Sequence, residues 1–420
     1  MRKIILKQLN QTDEKIILKQ STFWNMVGSI LNAFMTALLM LVVTRFCGVN
    51  IAGMFSIAST IAYQCLSIGQ FNVRNLQSSD VKKEFSYWDY FNLRIISSIA
   101  MYLMLIYYAF FSGYSTEKSL IILSFGLFKS IDSFEDVVHG EYHRYNRLDI
   151  GAMLQTIRLI ISFAVFILGI MITKNLVFTC SIVTIISCII FIYTNYDLMH
   201  YYIKNKININ ILKIKKLFFI SLPLCISGFI HLYIANAPKY AIDNYLNDTS
   251  QTFFGILSVP MFAINLLSTI IYRPLINKIS LLWNGKKFDE FKKMVLKQVL
   301  VIVGITLFIM LGGYIIGLTL LEVIYGIELK EYMSCFMVLL LGGGFNTIVG
   351  YMLVLLTILR EQNKITVMYV LVLGITLLIS ELLVSNYGIL GASLLYLQAN
   401  VTLMILFSII IFIKYKKTKK

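Results

Sequence analysis

Charge is what this chain is short of. Of 420 residues, 14% are Asp, Glu, Lys or Arg and 58% are hydrophobic, whereas soluble domains carry about 25% charged and about 45–50% apolar residues. So little charge cannot clothe a water-facing surface of this size, which excludes a soluble globular enzyme. Acid is scarcer still: 21 acidic residues face 37 basic ones, for a net charge of +16. A nucleic-acid groove would use such an excess, but 28 of the basic residues are Lys against 9 Arg, and most flank apolar runs. That is the pattern of membrane-topology determinants. The six cysteines (Cys47, Cys65, Cys180, Cys188, Cys225, Cys335) are scattered without C-x-x-C spacing, so neither a disulfide framework nor a zinc site is indicated. The first twenty residues carry Lys and acidic residues throughout and have no cleavable apolar core.

What is present is a ladder of apolar runs. A bilayer core of about 30 Å takes ~20 apolar residues per helix, and twelve such runs appear: 22–44, 51–73, 89–112, 117–138, 149–172, 174–196, 216–242, 250–272, 293–320, 332–358, 365–385 and 388–413. Assigning the breaks to alternate sides, and counting Lys216, Lys293 and Lys297 at span edges, puts 29 basic residues on one side. The other side holds only Arg45, Lys118, Lys174 and Lys330. The positive-inside rule then predicts that both termini are cytoplasmic. The expected fold is an all-α integral membrane protein, twelve transmembrane helices in two six-helix lobes around a central cavity. Its parts are a cytoplasmic tail (1–21), an N-lobe (22–214), a C-lobe (215–413) and a basic cytoplasmic tail (414–420). The repeated Ile-Ile-Leu-Lys-Gln at 4–8 and 16–20 fits either an interfacial helix or a disordered tail.

Four cations fall inside spans: Arg94, Lys129, Arg158 and Lys239. Each costs about 2.5–3.5 kcal/mol at a helix centre on insertion scales, so the chain must shelter them in a watery cavity or pair them. The fourth span is the most polar. Lys129, Asp132, Asp136, His139 and His143 recur at steps of three and four, within about 80° of one helix face. That stripe implies either a lumen or a buried charge network joining the span to its neighbour through Lys129, Asp132 and Arg158. All four prolines (Pro223, Pro238, Pro260, Pro274) cluster in the seventh and eighth spans, which marks them as hinge candidates or static kinks.

Motifs for catalysis are wanting. In His139-Gly-Glu-Tyr-His143 the Glu stands two residues after the first His, not one, so the zinc-protease arrangement is not met. Gly342-Gly343-Gly344 lacks the Gly-Lys-Ser/Thr of a phosphate loop and lies in a span, where close packing or a hinge fits; Gly313 and Gly317 form a packing pair. No catalytic set and no metal or cofactor site is expected.

The order and spacing of several stretches resemble the polysaccharide flippase branch of the multidrug/oligosaccharidyl-lipid/polysaccharide exporter superfamily. They are Thr44-Arg-Phe-Cys-Gly48 with Ala52-Gly-Met-Phe55, Asn72-Val-Arg74 leading to Asp80-Val-Lys-Lys83, Tyr90 through Arg94, Asp136-Val-Val-His-Gly-Glu141, Arg158, Asn236 through Asp243, Pro260, Arg273-Pro274 and Gly388-Ile-Leu-Gly-Ala392. The resemblance implies a bacterial cytoplasmic-membrane flippase. It would move an undecaprenyl-diphosphate-linked oligosaccharide across the membrane by alternating access, for capsule, exopolysaccharide or O-antigen synthesis. A diphosphate in a low-dielectric site needs fixed cations, so Arg45, Arg94, Arg158 and Lys239 are the expected headgroup ligands. Asn32, Asn236, Tyr240, Asn265 and Tyr351 are expected at the sugars. Asp132, Asp136, Asp243 and Glu381 are candidate coupling sites for Na+ or H+. Expected partners are the lipid-linked saccharide, membrane lipid, a polysaccharide polymerase and other assembly proteins; the chain is expected to act as a monomer. Twelve spans depart from the lipid II flippase branch, which has two more. Two other readings stay open: a drug/cation antiporter of the same superfamily, and a membrane glycan polymerase or glycosyltransferase, which would want a larger external loop.

Overall fold

The computed structural model describes residues 11, 13–80, 83–202 and 209–419, with the side chains of 197–202 excepted. The first copy of the five-residue repeat, residues 4–8, lies outside them, as do Val81 and Lys82. The described chain is almost wholly helical. Ten helical segments are long and apolar enough to cross a membrane among the described residues. Large side chains are exposed all along them, among them Leu103, Phe110, Leu168, Ile172, Phe308 and Leu378. An apolar exterior of that extent is stable only against lipid.

The chain divides into two compact units, Met1–Phe229 and Ile230–Lys420. The division falls inside a helix, not at the sequence-predicted cut between residues 214 and 215.

The first unit holds α1 (Glu14–Cys47), α2 (Val49–Gln70), the short α3 (Val73–Ser79), α4 (Tyr87–Phe111), α5 (Thr116–Arg144), α6 (Leu148–Thr173), α7 (Leu176–Tyr202) and the first part of α8 (Ile211–Tyr245). Asp13 caps α1, accepting from the Lys15 and Ile16 amides, so the second copy of the repeat, Ile16–Gln20, is helical where the sequence reading placed the end of a tail. α1 packs on α6, while α5 packs against α2, α4 and α7 and is the centre of the unit. Its 29 residues carry too many charges to pass as a span by hydropathy, yet at 1.5 Å per residue they reach about 43 Å. Burial of the polar face explains how so polar a helix is retained: Lys129 and Ser133 have no exposed surface, while Leu120 and Leu127 are exposed.

The second unit continues α8 and adds α9 (Asp248–Leu257), α10 (Met261–Tyr272), α11 (Ile276–Asn284), α12 (Phe288–Gly312), α13 (Leu318–Tyr325), α14 (Met333–Ile358) and α15 (Asn363–Lys419). Here α14 is central, packed on α15, α10 and α12. The Gly342–Gly344 triplet is a packing device. A Cβ on Gly342 would stand 2.6 Å from Tyr396, one on Gly343 3.0 Å from Met261, and one on Gly344 2.5 Å from Thr306. Successive residues point about 100° apart, so three glycines admit three different helices. Gly313 and Gly317 lie in a π-helical turn against Phe336.

The prolines divide into two pairs. Pro260 ends the helical run of the eighth predicted span: α9 stops at Leu257 and Pro260 caps α10. Pro274 sits in a 3-10 turn, Arg273–Leu275. Pro223 and Pro238 lie within the continuous helical run of α8. α15 is one run of 57 residues interrupted at Gly388, whose φ of 56° and ψ of −131° are open to glycine and poorly to other residues. That kink matches the predicted break between spans eleven and twelve.

Candidate functional site

In the first unit the intramembrane charges neutralise one another. Arg158 on α6 donates from Nε to Glu135 Oε1 at 3.0 Å, from Nη2 to Glu135 Oε2 at 2.6 Å, and from Nη2 to Asp132 Oδ1 at 2.6 Å. Lys129 donates to Asp132 Oδ2 at 3.0 Å, and its ammonium sits 4.6 Å from the centre of the Tyr63 ring. Arg94 on α4 donates to Asp136 Oδ2 at 2.7 Å and also to the Gly69 carbonyl, with Arg74 3.7 Å from the other Asp136 oxygen. Two guanidinium groups, 2% and 1% exposed, thus fasten α4 and α6 to the same face of α5. The sequence periodicity placed Asp132 and Asp136 on that face. It did not single out Glu135, 3% exposed, as the bidentate partner of Arg158. The signal available was its i+3 spacing from Asp132 and i+6 spacing from Lys129.

A second polar knot lies beyond the spans. The Asp80 carboxylate accepts from the amides of Glu84 and Phe85 at 2.9 and 3.1 Å and from the Tyr90 hydroxyl at 3.2 Å, with Arg144 3.8 Å away. Burial alone would raise the Asp80 pKa, but these donors outweigh it and hold the carboxyl below its ordinary value. Lys216 at the start of α8 pairs with Glu84 in the same loop.

The second unit is different. Lys239, half-buried on α8, has no hydrogen bond, ion pair or ring contact among the described residues. Asn236, Lys239, Tyr240 and Asp243 share one face of the helix by their spacing. Asn236 uses its amide on the Leu232 carbonyl at 3.0 Å. Tyr240 is buried with its ring stacked on Tyr233, centroids 4.8 Å apart. Tyr351 is fully buried on α14 with its ring 5.2 Å from that of Tyr272.

The remaining predicted residues are spread out. Arg45 is exposed in the last turn of α1, and Asn32 is exposed on the same helix. Asn265 is exposed on α10 and accepts from Thr269 at 3.0 Å. Glu381 is exposed on α15 and Asp243 half-buried on α8. His139 is 3% exposed, and among the described residues no cluster of three or more His, Cys, Asp or Glu offers a metal site.

The fold defined by these helices is that of a multi-pass all-helical membrane protein. No protein-family model matches the chain. It is similar to the lipid II flippase MurJ in its inward closed conformation, with a TM-score of 0.66 and 14% identity over 97% of this chain and 90% of that one. It is similar also to an inward-facing multidrug resistance MATE family transporter of the MOP superfamily, with a TM-score of 0.64 and 13% identity over 94% and 100%. The capsular polysaccharide biosynthesis protein CapF of Staphylococcus aureus is 24% identical over 374 residues, 88% of this chain and 92% of that protein. The chain therefore shares its fold with these two solved membrane proteins, as the sequence resemblance predicted.

Proposed function

We propose that this protein is a flippase for undecaprenyl-diphosphate-linked oligosaccharide repeat units, working by alternating access in the bacterial cytoplasmic membrane in capsule or related surface-glycan synthesis. Twelve crossings with both termini cytoplasmic fit the reading: α5 spans by length despite its charge, and α15 spans twice across Gly388. The observation that carries it is the uncompensated ammonium of Lys239. An unpaired cation within a span is expensive, and an anionic phospho-sugar headgroup is the partner that its chemistry calls for. Arg94 and Arg158, whose charge is already met by carboxylates, act as scaffold that holds α4, α5 and α6. The similarity to the MurJ flippase and to CapF supports the same substrate class.

Replacement of Lys239 by Ala abolishes surface-glycan export and causes lipid-linked repeats to accumulate, with protein in the membrane at the normal level; K239R retains part of the activity. Full export by K239A removes Lys239 from the site. A drug/cation antiporter is the second reading, favoured by the likeness to MATE transporters. Deletion that leaves surface glycan intact but abolishes dye resistance would establish it over the flippase. Asp132, Asp136, Asp243 and Glu381 are the candidate coupling sites for Na+ or H+, of which Asp132 and Asp136 are held in ion pairs.

A further inference from the structure

The second unit contains a cleft of about 870 Å3 that the cation site does not use, within the roughly 300–1,000 Å3 common for small-ligand sites. Phe253, Glu322, Glu328, Lys330, Glu331 and Tyr332 are among its lining residues. It sits where the helical run Phe288–Tyr325 ends. Lys286, Lys287, Lys292 and Lys293 stand at the opposite end of that run, so the positive-inside rule puts the cleft on the outer side of the membrane.

The cleft is preformed. Gly326, with a φ of 75°, turns the chain out of α13. Glu322 Oε1 then accepts from the Leu329 amide at 2.7 Å and the Lys330 amide at 3.0 Å, clasping the loop, and a 3-10 turn presents Lys330–Tyr332. The Tyr332 ring lies 5.0 Å from that of Phe253, tilted by 46°. Glu322 is committed to the loop amides, while Glu328 and Glu331 are exposed.

Two aromatic faces beside free carboxylates suit a saccharide: rings cover the apolar faces of sugar rings, and carboxylates accept from hydroxyls or amino groups. Three Glu against one Lys make the lining net negative, which repels a diphosphate and acidic sugars. We infer that this cleft docks uncharged or amino-bearing sugar units on the outer side of the membrane. The inference deepens the proposed function, on which it rests for the source of the saccharide.

Crosslinking reads the cleft directly. Tyr332→p-benzoylphenylalanine, illuminated in glycan-producing cells, should give an adduct whose mass includes hexose or hexosamine units. An adduct with acyl lipid alone, or none, overturns the proposal. The F253A/Y332A variant should export saccharide roughly tenfold more slowly, equivalent to about 1.4 kcal/mol. Should it fail to reach the membrane, E328Q/E331Q, altered only at exposed positions, should show a loss in the same direction. Full export by either variant at normal membrane level, in cells where deletion of the chain abolishes export, sinks the cleft alone. Export that survives deletion sinks the proposed function, and the crosslinked mass still decides the cleft.

Discussion

α5 and α14 occupy the same place in the order of crossings, fourth in each unit, and each is the helix around which its unit packs. They do so with opposite chemistry. α5 brings Lys129, Asp132, Glu135 and Asp136 into the interior and holds its neighbours by charge. α14 brings Gly342, Gly343 and Gly344 and lets its neighbours approach so closely that a Cβ on any of them would stand 3.0 Å or less from a facing side chain. Ion pairs of the second unit such as Lys287–Glu290, Lys364–Glu361, Lys414–Glu361 and Lys419–Asp289 lie at helix ends. A hub held by ion pairs tolerates little movement, because each separated charge would be left in a low-dielectric interior. A hub held by small residues carries no such penalty, since its contacts involve no buried charge.

The comparison breaks most visibly at the α5–α6 junction. Removing one partner of the Arg158–Glu135 pair, by R158A or E135A, should lower stability by about 3–5 kcal/mol, as measured by thermal unfolding in detergent. The double replacement E135M/R158M should recover most of that loss. Equal instability of single and double variants would show that the charges do more than neutralise each other.

The matching intervention in the second unit is steric. G344L places a side chain where a Cβ alone would approach Thr306 at 2.5 Å, and overpacking of this kind costs typically about 1–3 kcal/mol. Wild-type thermal stability in G344L would remove close packing as the reason for the triplet.

The smallest effect concerns the Asp80 loop. Its carboxyl is held below the ordinary value, so it contributes stability above a pH of about 3.9, and that contribution is lost as the pH falls through the lower folded value. Hydrogen exchange at the Glu84 and Phe85 amides should therefore rise in strong acid. In D80N the same amides should exchange faster than wild type at neutral pH, where the carboxylate is otherwise ionised. No difference between D80N and wild type at neutral pH would detach the loop from that carboxylate.

Much of the fold was legible because the bilayer imposes a length and a polarity on every crossing. Apolar runs found the helices, and the break before Gly388 found the kink in α15. The polar stripe from Lys129 to His143 located the interior face of α5 by period alone. Pairing was not legible. Nothing in the spacing tells that Arg158, 23 residues from Glu135, meets it in two parallel bonds while Lys239 meets no charge. Nor did the four prolines announce that Pro260 ends a helix while Pro223 and Pro238 sit inside one. The contact-based division falls after Phe229, inside α8, because where the contacts of a helix change from one unit to the other depends on neighbours far away in sequence.

Composition and the order of apolar runs determined the solvent and the helical class, because each follows from transfer of single residues or short runs between water and lipid. Tertiary structure alone decided which buried charges are spent on each other and which remains unspent. That outcome depends on distances of about 3 Å between side chains of different helices, and no one-dimensional pattern encodes them.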